Sequence, residues 1–517
     1  MSLKYLYVPS GYKAGKTYGV LPNVANADLA FVRASGATRV DSNRLIDRGE
    51  SLGSNIEPTD FSSGWTGVGS GMTLSTGSAE FDNDALNVGA YILTNSNITL
   101  GRSYRIIFEV TSFTSAVAGG LYYYSASGST DLSVEGVGTY EYTFTAQETR
   151  TFALLSYTGT TLTVGSVSLR EITTENTNTP RLDYTDGSCP TLLTEPQRTN
   201  LCLNSTRGTY GNSPASTAQT LAPDGTNTAT IPTPNDTADR YEYTISAGSA
   251  TGDTKITYSW YRKRLSTPSE DPNQTGDLKV SGLVNCIQDG STIQIGRDIG
   301  GYDRFSATFD VVDGSLEAII RLYFGEVVGI GNSSVAYFGH QVEIGAYATS
   351  YIPTDTDSTS TRSADTGVIS GDLSSYINSS EGVLEIKAKA LFNGGSDVRL
   401  GISDGTSDNR IALIYGTGAN SMTLFMKANG QQVLNGGTTD FKTLTGSFPQ
   451  TDMTTFKIKW KSGDIQVKVN NTTIALSETD TFTMFGLDQV RLDGGAGSNL
   501  FEGNIQYIKV YDSTTDF

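Results

Sequence analysis

The groups with which this chain of 517 residues could do chemistry are few in kind: one histidine, three cysteines and 54 carboxylates. A histidine triad needs a nucleophile and an orienting acid beside the imidazole, and no motif brings either to His340. Zinc needs several His or Cys ligands at close spacing, which Cys189, Cys202 and Cys286 do not supply. An odd count without a CxxC pair points instead to reduced, mostly buried thiols. Two carboxylates at a fixed separation suffice for glycoside hydrolysis, so a glycan depolymerase stays open as a function class. The acids of Asp82-Asn83-Asp84 and of Asp404-Gly405-Thr406-Ser407-Asp408 cluster as a hard cation prefers. Calcium on Asp82, Asp84, Asp404 and Asp408 is the one cofactor such loops suit, and the competing reading is solvated Asx turns. Sugar recognition requires aromatic faces with polar neighbours, for which Trp65, Tyr122, Tyr123, Tyr124 and Tyr261 are the candidates. Trp260 and Trp460, in alternating runs, read as core.

These residues sit in a chain built for strands. Gly at 57, Tyr at 27 and Phe at 20 accompany dense Ser, Thr, Asn and Asp between short apolar runs. Turn formers mixed with aromatic and β-branched residues favour many short strands, so the expected fold class is all-β, with several antiparallel β-sandwiches in tandem. A net charge of −18 argues against nucleic-acid partners, because phosphate binding depends on clustered Lys and Arg. No run approaches a membrane span or a signal peptide, so we expect no membrane insertion and synthesis in a cytoplasm.

Turn and linker signals divide the chain. Residues 1–48 form a leader with too little apolar material for a core, and Tyr5, Tyr7, Tyr12 and Tyr18 are expected to anchor it to another surface. A first sandwich spans 49–172, where Tyr140, Tyr142 and Phe144 alternate with Glu141 and Thr143. A connector covers 173–200, a second sandwich 201–353 and a polar linker 354–365. The last sandwich, 366–517, carries strict alternation in Gly382–Ala390 and in Phe456–Trp460, where Lys457 and Lys459 face away from the apolar side.

Four phrases resemble segments of tailed-bacteriophage virion structural proteins. They are Arg33-Ala34-Ser35-Gly36-Ala37-Thr38-Arg39-Val40, Asn178-Thr179-Pro180-Arg181-Leu182-Asp183-Tyr184, Leu193-Thr194-Glu195-Pro196-Gln197-Arg198-Thr199-Asn200-Leu201, and the run from Gln341-Val342-Glu343-Ile344 to Tyr351-Ile352-Pro353-Thr354. In such proteins they bracket a jelly roll similar to carbohydrate-binding modules. Leu400–Thr406 and Val490–Gly495 resemble a concanavalin A-like (laminin G-like) sandwich. The resemblance implies a fibre or appendage of tail or head, with other virion proteins and copies of itself as partners, attaching to host surface glycans. A purely architectural virion part, such as a capsid decoration or tail connector, is the alternative. Here Leu45-Ile46 and Pro180 are separated by the whole first sandwich, which reads as an insertion that leaves residues 1–48 and 173–200 to meet in space.

Overall fold

The computed structural model describes residues 2–517 except 14–15, 49–50, 84–89, 116–120, 126–127, 133, 135, 147, 157–158, 175–176, 213, 215, 234–238, 247–254, 266–279, 314, 324–334, 355–357, 395–396 and 515–516. The fold is all-β: among the described residues, helix is confined to the single turns Ala25–Ala27 and Leu434–Gly437. The chain forms two compact units, one made of Met1–Arg44, Asn176–Arg198 and Thr361–Phe517, the other of Leu45–Glu175 and Thr199–Ser360.

The second of these units holds two antiparallel sandwiches. In the first, a five-stranded sheet runs Gly128–Leu132, Leu121–Ser125, Arg150–Ser156, Tyr91–Ile98, Trp65–Val68. Its partner sheet is centred on Ser103–Ser115 and Thr160–Thr174. The expected alternation in Gly138–Thr145 buries Tyr140 and Tyr142. Their rings stack on Phe108 at 5.5 and 6.2 Å, offset pairings that add to simple burial. The second sandwich has a four-stranded sheet around Arg240–Ile245 and Ala318–Tyr323 and a six-stranded sheet around Lys255–Arg264 and Val335–Ile344.

Val335–Ile344 is buried along almost its whole length, so its outer face is covered as well as its core face. The cover is its own continuation. Gln341 Nε2 donates to the carbonyls of Thr349 and Ser350, both at 3.2 Å, and Gln341 Oε1 accepts from Ile352 N at 2.6 Å. Glu343 accepts from Thr349 N at 3.0 Å. Asn200 completes the wrap: Nδ2 donates to the His340 and Ile352 carbonyls, and Oδ1 accepts from Cys202 N and Val342 N. The first sandwich is tied to the second. Arg48 bridges Glu141 (2.7 Å) and Asp224 (3.3 Å), and the Arg207 guanidinium lies 4.6 Å over the Tyr140 ring.

The other unit corrects the leader and the boundary at 366. Residues 1–44 are not a coreless arm: Tyr5 and Tyr7 are fully buried in one core with Leu384, Ile386, Phe456, Ile458 and Trp460. Leu3–Lys13 pairs antiparallel with Gly503–Tyr511 on one side and with Lys16–Leu21 on the other. Lys16–Leu21 passes to Leu29–Val32, which pairs with Thr366–Ile369, and that strand pairs in turn with Gln489–Arg491. The leader therefore joins, strand by strand, the two sheets of the C-terminal sandwich. Apolar content was too low a criterion for its fate, because aromatic side chains alternating along a strand complete a core that other segments begin. Tyr18 is 41% exposed and remains available to a partner. The Tyr12 backbone pairs with Thr17, and its side chain lies outside the described residues.

The leader, the connector and the start of the last sandwich meet on a buried ion cluster. Asp365 accepts from Arg33 Nη1 at 3.0 Å, from Arg181 and from Glu195 N at 2.7 Å. Glu195 also accepts from Arg181, and from Arg362 at 2.8 Å. All five side chains are at most 2% exposed. The 354–365 segment is thus no simple polar linker, since Arg362 and Asp365 are core residues; 355–357 lie outside the described set. Burial, then the neighbouring Arg181, lowers the Arg33 guanidinium to about 10. Burial would lower Arg181 too, but the Asp365 and Glu195 carboxylates outweigh it and hold its charge. Asn178 Oδ1 accepts from Arg33 N, and Asp183 from Val40 N, so the leader and the connector meet directly.

Two outcomes follow for stability. Replacing Asp365 with Asn leaves three arginines facing one carboxylate, and breaking a buried pair typically costs about 3–5 kcal/mol. Chemical denaturation should show that loss in the transition of the C-terminal unit. Deleting residues 1–44 should abolish that unit's cooperative transition in calorimetry while the unit of 45–175 and 199–360 keeps its own. Two unchanged transitions would mean that the leader is dispensable to the core.

Candidate ligand-binding surface

Of the sequence-predicted sugar aromatics, the two whose side chains are described, Trp65 and Tyr261, are covered. Trp65 is buried, donates Nε1–H to the Pro58 carbonyl at 2.7 Å and packs on Phe61. Tyr261 is 2% exposed, walled by Phe338 and Tyr351, with the Arg304 guanidinium 5.1 Å over its ring. Both are packing residues, because the neighbouring chain occupies the ring faces a sugar would use. Tyr122, Tyr123 and Tyr124 lie on Leu121–Ser125, paired with Gly128–Leu132 and Arg150–Ser156, and their side chains lie outside the described residues.

Of the calcium candidates, Asp404 and Asp82 spend carboxylate oxygens on hydrogen bonds within the fold. Asp404 accepts from Thr406 N (2.9 Å), Thr406 Oγ1 (2.6 Å) and Asn409 Nδ2 (2.9 Å), the geometry of an Asx turn. Partial burial would raise its carboxyl, but these donors hold it below the usual carboxylate range. Asp408 is exposed, Asp82 accepts from Thr161 Oγ1, and Asp84 lies outside the described residues. Among the described residues, no group of three or more His, Cys, Asp or Glu is placed to hold a metal ion. His340 is fully buried, its Nδ1 2.8 Å from the Tyr258 hydroxyl and its ring 4.2 Å from that of Tyr241. Burial pushes its imidazole down to about 3, so it is neutral and walled off from any substrate. Cys189 is exposed, whereas Cys202 and Cys286 are buried, and none of the three forms a disulfide.

What the fold does assemble is a lysine- and tyrosine-bearing sheet face on the C-terminal sandwich. Ile465–Val469, Thr454–Lys461, Glu381–Ala390 and Gly503–Tyr511 lie side by side. Their apolar residues alternate into the core. The opposite side carries Lys387 and Lys389, then Lys457, Lys459 and Lys461, then Lys468 and Lys509, against Glu381 and Glu385. Register places Lys468, Lys457, Glu385 and Lys509 in one row across the strands, with Thr455, Lys387 and Tyr507 in the next.

Glu385 organises the face. It is 4% exposed and accepts from Tyr507 Oη at 2.9 Å, Lys509 Nζ at 3.1 Å and Tyr511 Oη at 3.3 Å, with Lys457 Nζ at 3.4 Å. Burial would raise its carboxyl, but the Tyr507 and Lys509 hydrogen bonds and the Lys509 and Lys457 charges hold it below the ordinary value of 4.5. Burial, with the Glu385 charge behind it, pushes the Tyr511 phenol up to about 12, so it remains a donor. Lys387 has no carboxylate partner among the described residues. Lys509 Nζ sits 4.1 Å from the Tyr507 ring, and Lys468 and Lys459 sit 4.6 and 5.5 Å from that of Phe517. Sequence reading set Lys457 and Lys459 apart from the core but did not find this site. Alternation gives the side of the strand, while the pairing of Lys457, Glu385 and Lys509 depends on segments more than a hundred residues apart in part.

No protein-family model matches the chain, and no curated protein matches it. Solved structures with similar strand arrangements include the CBM40 of Ruminococcus gnavus IT-sialidase bound to alpha2,3 sialyllactose, at 15% identity over 27% of this chain and 79% of that one, TM-score 0.22. The N-terminal CBM22-1–CBM22-2 tandem domain of a Paenibacillus barcinonensis protein aligns at 10% identity over 60% of this chain and 99% of that one, TM-score 0.19. The LG1–3 region of the laminin alpha2 chain aligns at 10% identity over 80% and 93%, TM-score 0.13. Similarities at these scores do not decide what this chain binds.

The Glu385 geometry has a pH signature. A carboxyl whose folded pKa is depressed adds stability above its unfolded value, lost as pH falls through the folded pKa. The window for Glu385 therefore lies below about 4.5. Glu385→Gln should lower the thermal midpoint of the C-terminal unit at pH 7 and converge on the parent protein toward pH 3. A constant difference across that range would mean that the ionised carboxylate is not what stabilises the face.

Proposed function

We propose that this chain is a non-catalytic, glycan-recognising component of a bacteriophage virion surface, a fibre or appendage of tail or head. The observation that carries the recognition reading is the ordered lysine–tyrosine face around Glu385. Its donors are held in place by one buried carboxylate, so little side-chain entropy remains to be lost when a ligand arrives. A shallow face of this kind gives weak single sites, with Kd of roughly 0.1–1 mM, about 4–5.5 kcal/mol. Many copies on one particle would raise avidity by about 10²–10⁴. The virion assignment is supported by the four phrases that resemble phage structural proteins. Here they serve as struts: Arg33, Arg181 and Glu195 in the ion cluster, and Gln341 with Glu343 in the strand wrap.

A purely architectural role draws on a different observation. Tyr18, Val20, Leu21, Val24 and Val32 of the leader are all more than a third exposed, apolar surface that a neighbouring virion subunit or a second copy would cover. The two readings separate on intact particles. Labelled antibody should reach the C-terminal sandwich on the virion, and a multivalent display of the protein should bind host cells or their extracted glycans. Inaccessible epitopes together with a silent display would leave the architectural role and remove glycan recognition.

A further inference from the structure

We infer that the lysine–tyrosine face takes a polyanionic glycan, one bearing carboxylate, sulfate or phosphate groups, and not a neutral one; this rests on the glycan-recognition reading. The first argument is what occupies the aromatic rings. A neutral sugar binds by stacking its C–H surface on an open aromatic face, yet the Tyr507 ring is covered by the Lys509 ammonium at 4.1 Å. The Phe517 ring has Lys468 and Lys459 on it at 4.6 and 5.5 Å. The groups this surface offers a ligand are therefore ammonium donors, each with three N–H bonds, of which Glu385 takes only a share from Lys457 and Lys509, Asp464 from Lys459 and the Phe517 oxygen from Lys468.

Charge supplies the second argument. The four strands project seven lysines against two glutamates from this side, and even with Asp464 and Asp186, which reach Lys459 and Lys389 from outside the strands, the lysines are in excess, although the whole chain carries −18. Such a reversal acts locally, because screening at physiological salt confines it to about 8 Å. A short anionic segment laid on the face feels the lysines, whereas a long stiff polyanion such as duplex DNA also meets the acidic remainder. Register provides the spacing. Lys457 and Lys509 lie one strand to either side of Glu385, so their backbones are about 10 Å apart at a strand separation of about 4.8 Å. Lys387 lies two residues along the same strand as Glu385, about 7 Å away. Three ammonium groups at such intervals match charges repeated along a chain, not a single anion.

The test uses the full-length protein and four probes of matched length: a polyuronate oligosaccharide, a sulfated oligosaccharide, a neutral glucan and a single-stranded oligonucleotide. Titration calorimetry at low salt should show both acidic glycans binding about tenfold or more tighter than the neutral one, with affinity falling as salt is raised. The ratio between the uronate and the sulfated probe then tells which anion is preferred. Lys387→Gln, which breaks no ion pair among the described residues, should weaken the acidic probes by about tenfold and leave the thermal midpoint unchanged. Equal affinity for neutral and acidic glycans would overturn the charge inference and leave glycan recognition standing. Binding to none of the glycans would overturn both, and preference for the oligonucleotide would replace the glycan by a nucleic acid. Unaltered acidic binding by Lys387→Gln and by Lys468→Gln would place the ligand elsewhere on the protein.

Discussion

Five ionised side chains, Arg33, Arg181, Arg362, Glu195 and Asp365, sit at most 2% exposed in one contiguous cluster, and the architecture of the C-terminal unit turns on them. Desolvating that many charges is expensive, and mutual attraction offsets the cost only when geometry and hydrogen bonding are nearly complete. Completion here requires three stretches of chain at once: the leader supplies Arg33, the connector supplies Arg181 and Glu195, and the segment before the last sandwich supplies Arg362 and Asp365. None of these stretches can leave without stranding a buried charge. The cluster thus specifies a topology in which residues 1–44 and 176–198 are parts of the same unit as 361–517, whatever its net contribution to stability.

That arrangement bears directly on the ligand face. Gly503–Tyr511, which carries Tyr507, Lys509 and Tyr511, has the leader strand on one side and Glu381–Ala390 on the other. Tyr5 and Tyr7 of that leader strand pair beside Val510 and Ile508 and are buried in the same core. The strand is central and not an edge, so its outward residues keep a fixed register against Glu385 and Lys457. A rigid sheet is a more accurate platform than a loop, because pleat and pairing fix the spacing of every second side chain. The Asp404 loop, which looked promising for a metal, instead spends its carboxylate on its own turn, with Thr406 and Asn409.

The phrases that resemble phage proteins turn out to be rich in fold-holding contacts. Asn200 uses both ends of its amide on four backbone partners, and Gln341 with Glu343 folds the continuation of its own strand back over the sheet. Buried polar groups that are fully satisfied fix one arrangement strongly, since any alternative leaves donors or acceptors unpaired. A residue of this kind is a poor candidate for contacting a ligand. The lysine–tyrosine face lies outside all four phrases and also outside the two phrases that resemble a laminin G-like sandwich.

The sequence by itself determined the all-β class, because the period-two alternation in segments such as Gly138–Thr145 and Thr454–Lys461 suits no other regular structure. It also determined that Trp260 and Trp460 are core and that Lys457 and Lys459 face away from the apolar side. The tertiary structure alone decided that Tyr5 and Tyr7 finish the core of a sandwich about 500 residues later in the chain, and that Trp65 and Tyr261 are covered. Local pattern assigns a residue to one side of its strand but is silent on which strand comes next to it. Glu385, Lys457 and Lys509 became a site only when Glu381–Ala390 was paired between Thr454–Lys461 and Gly503–Tyr511, and pairing between distant strands is set by the packing of the whole core.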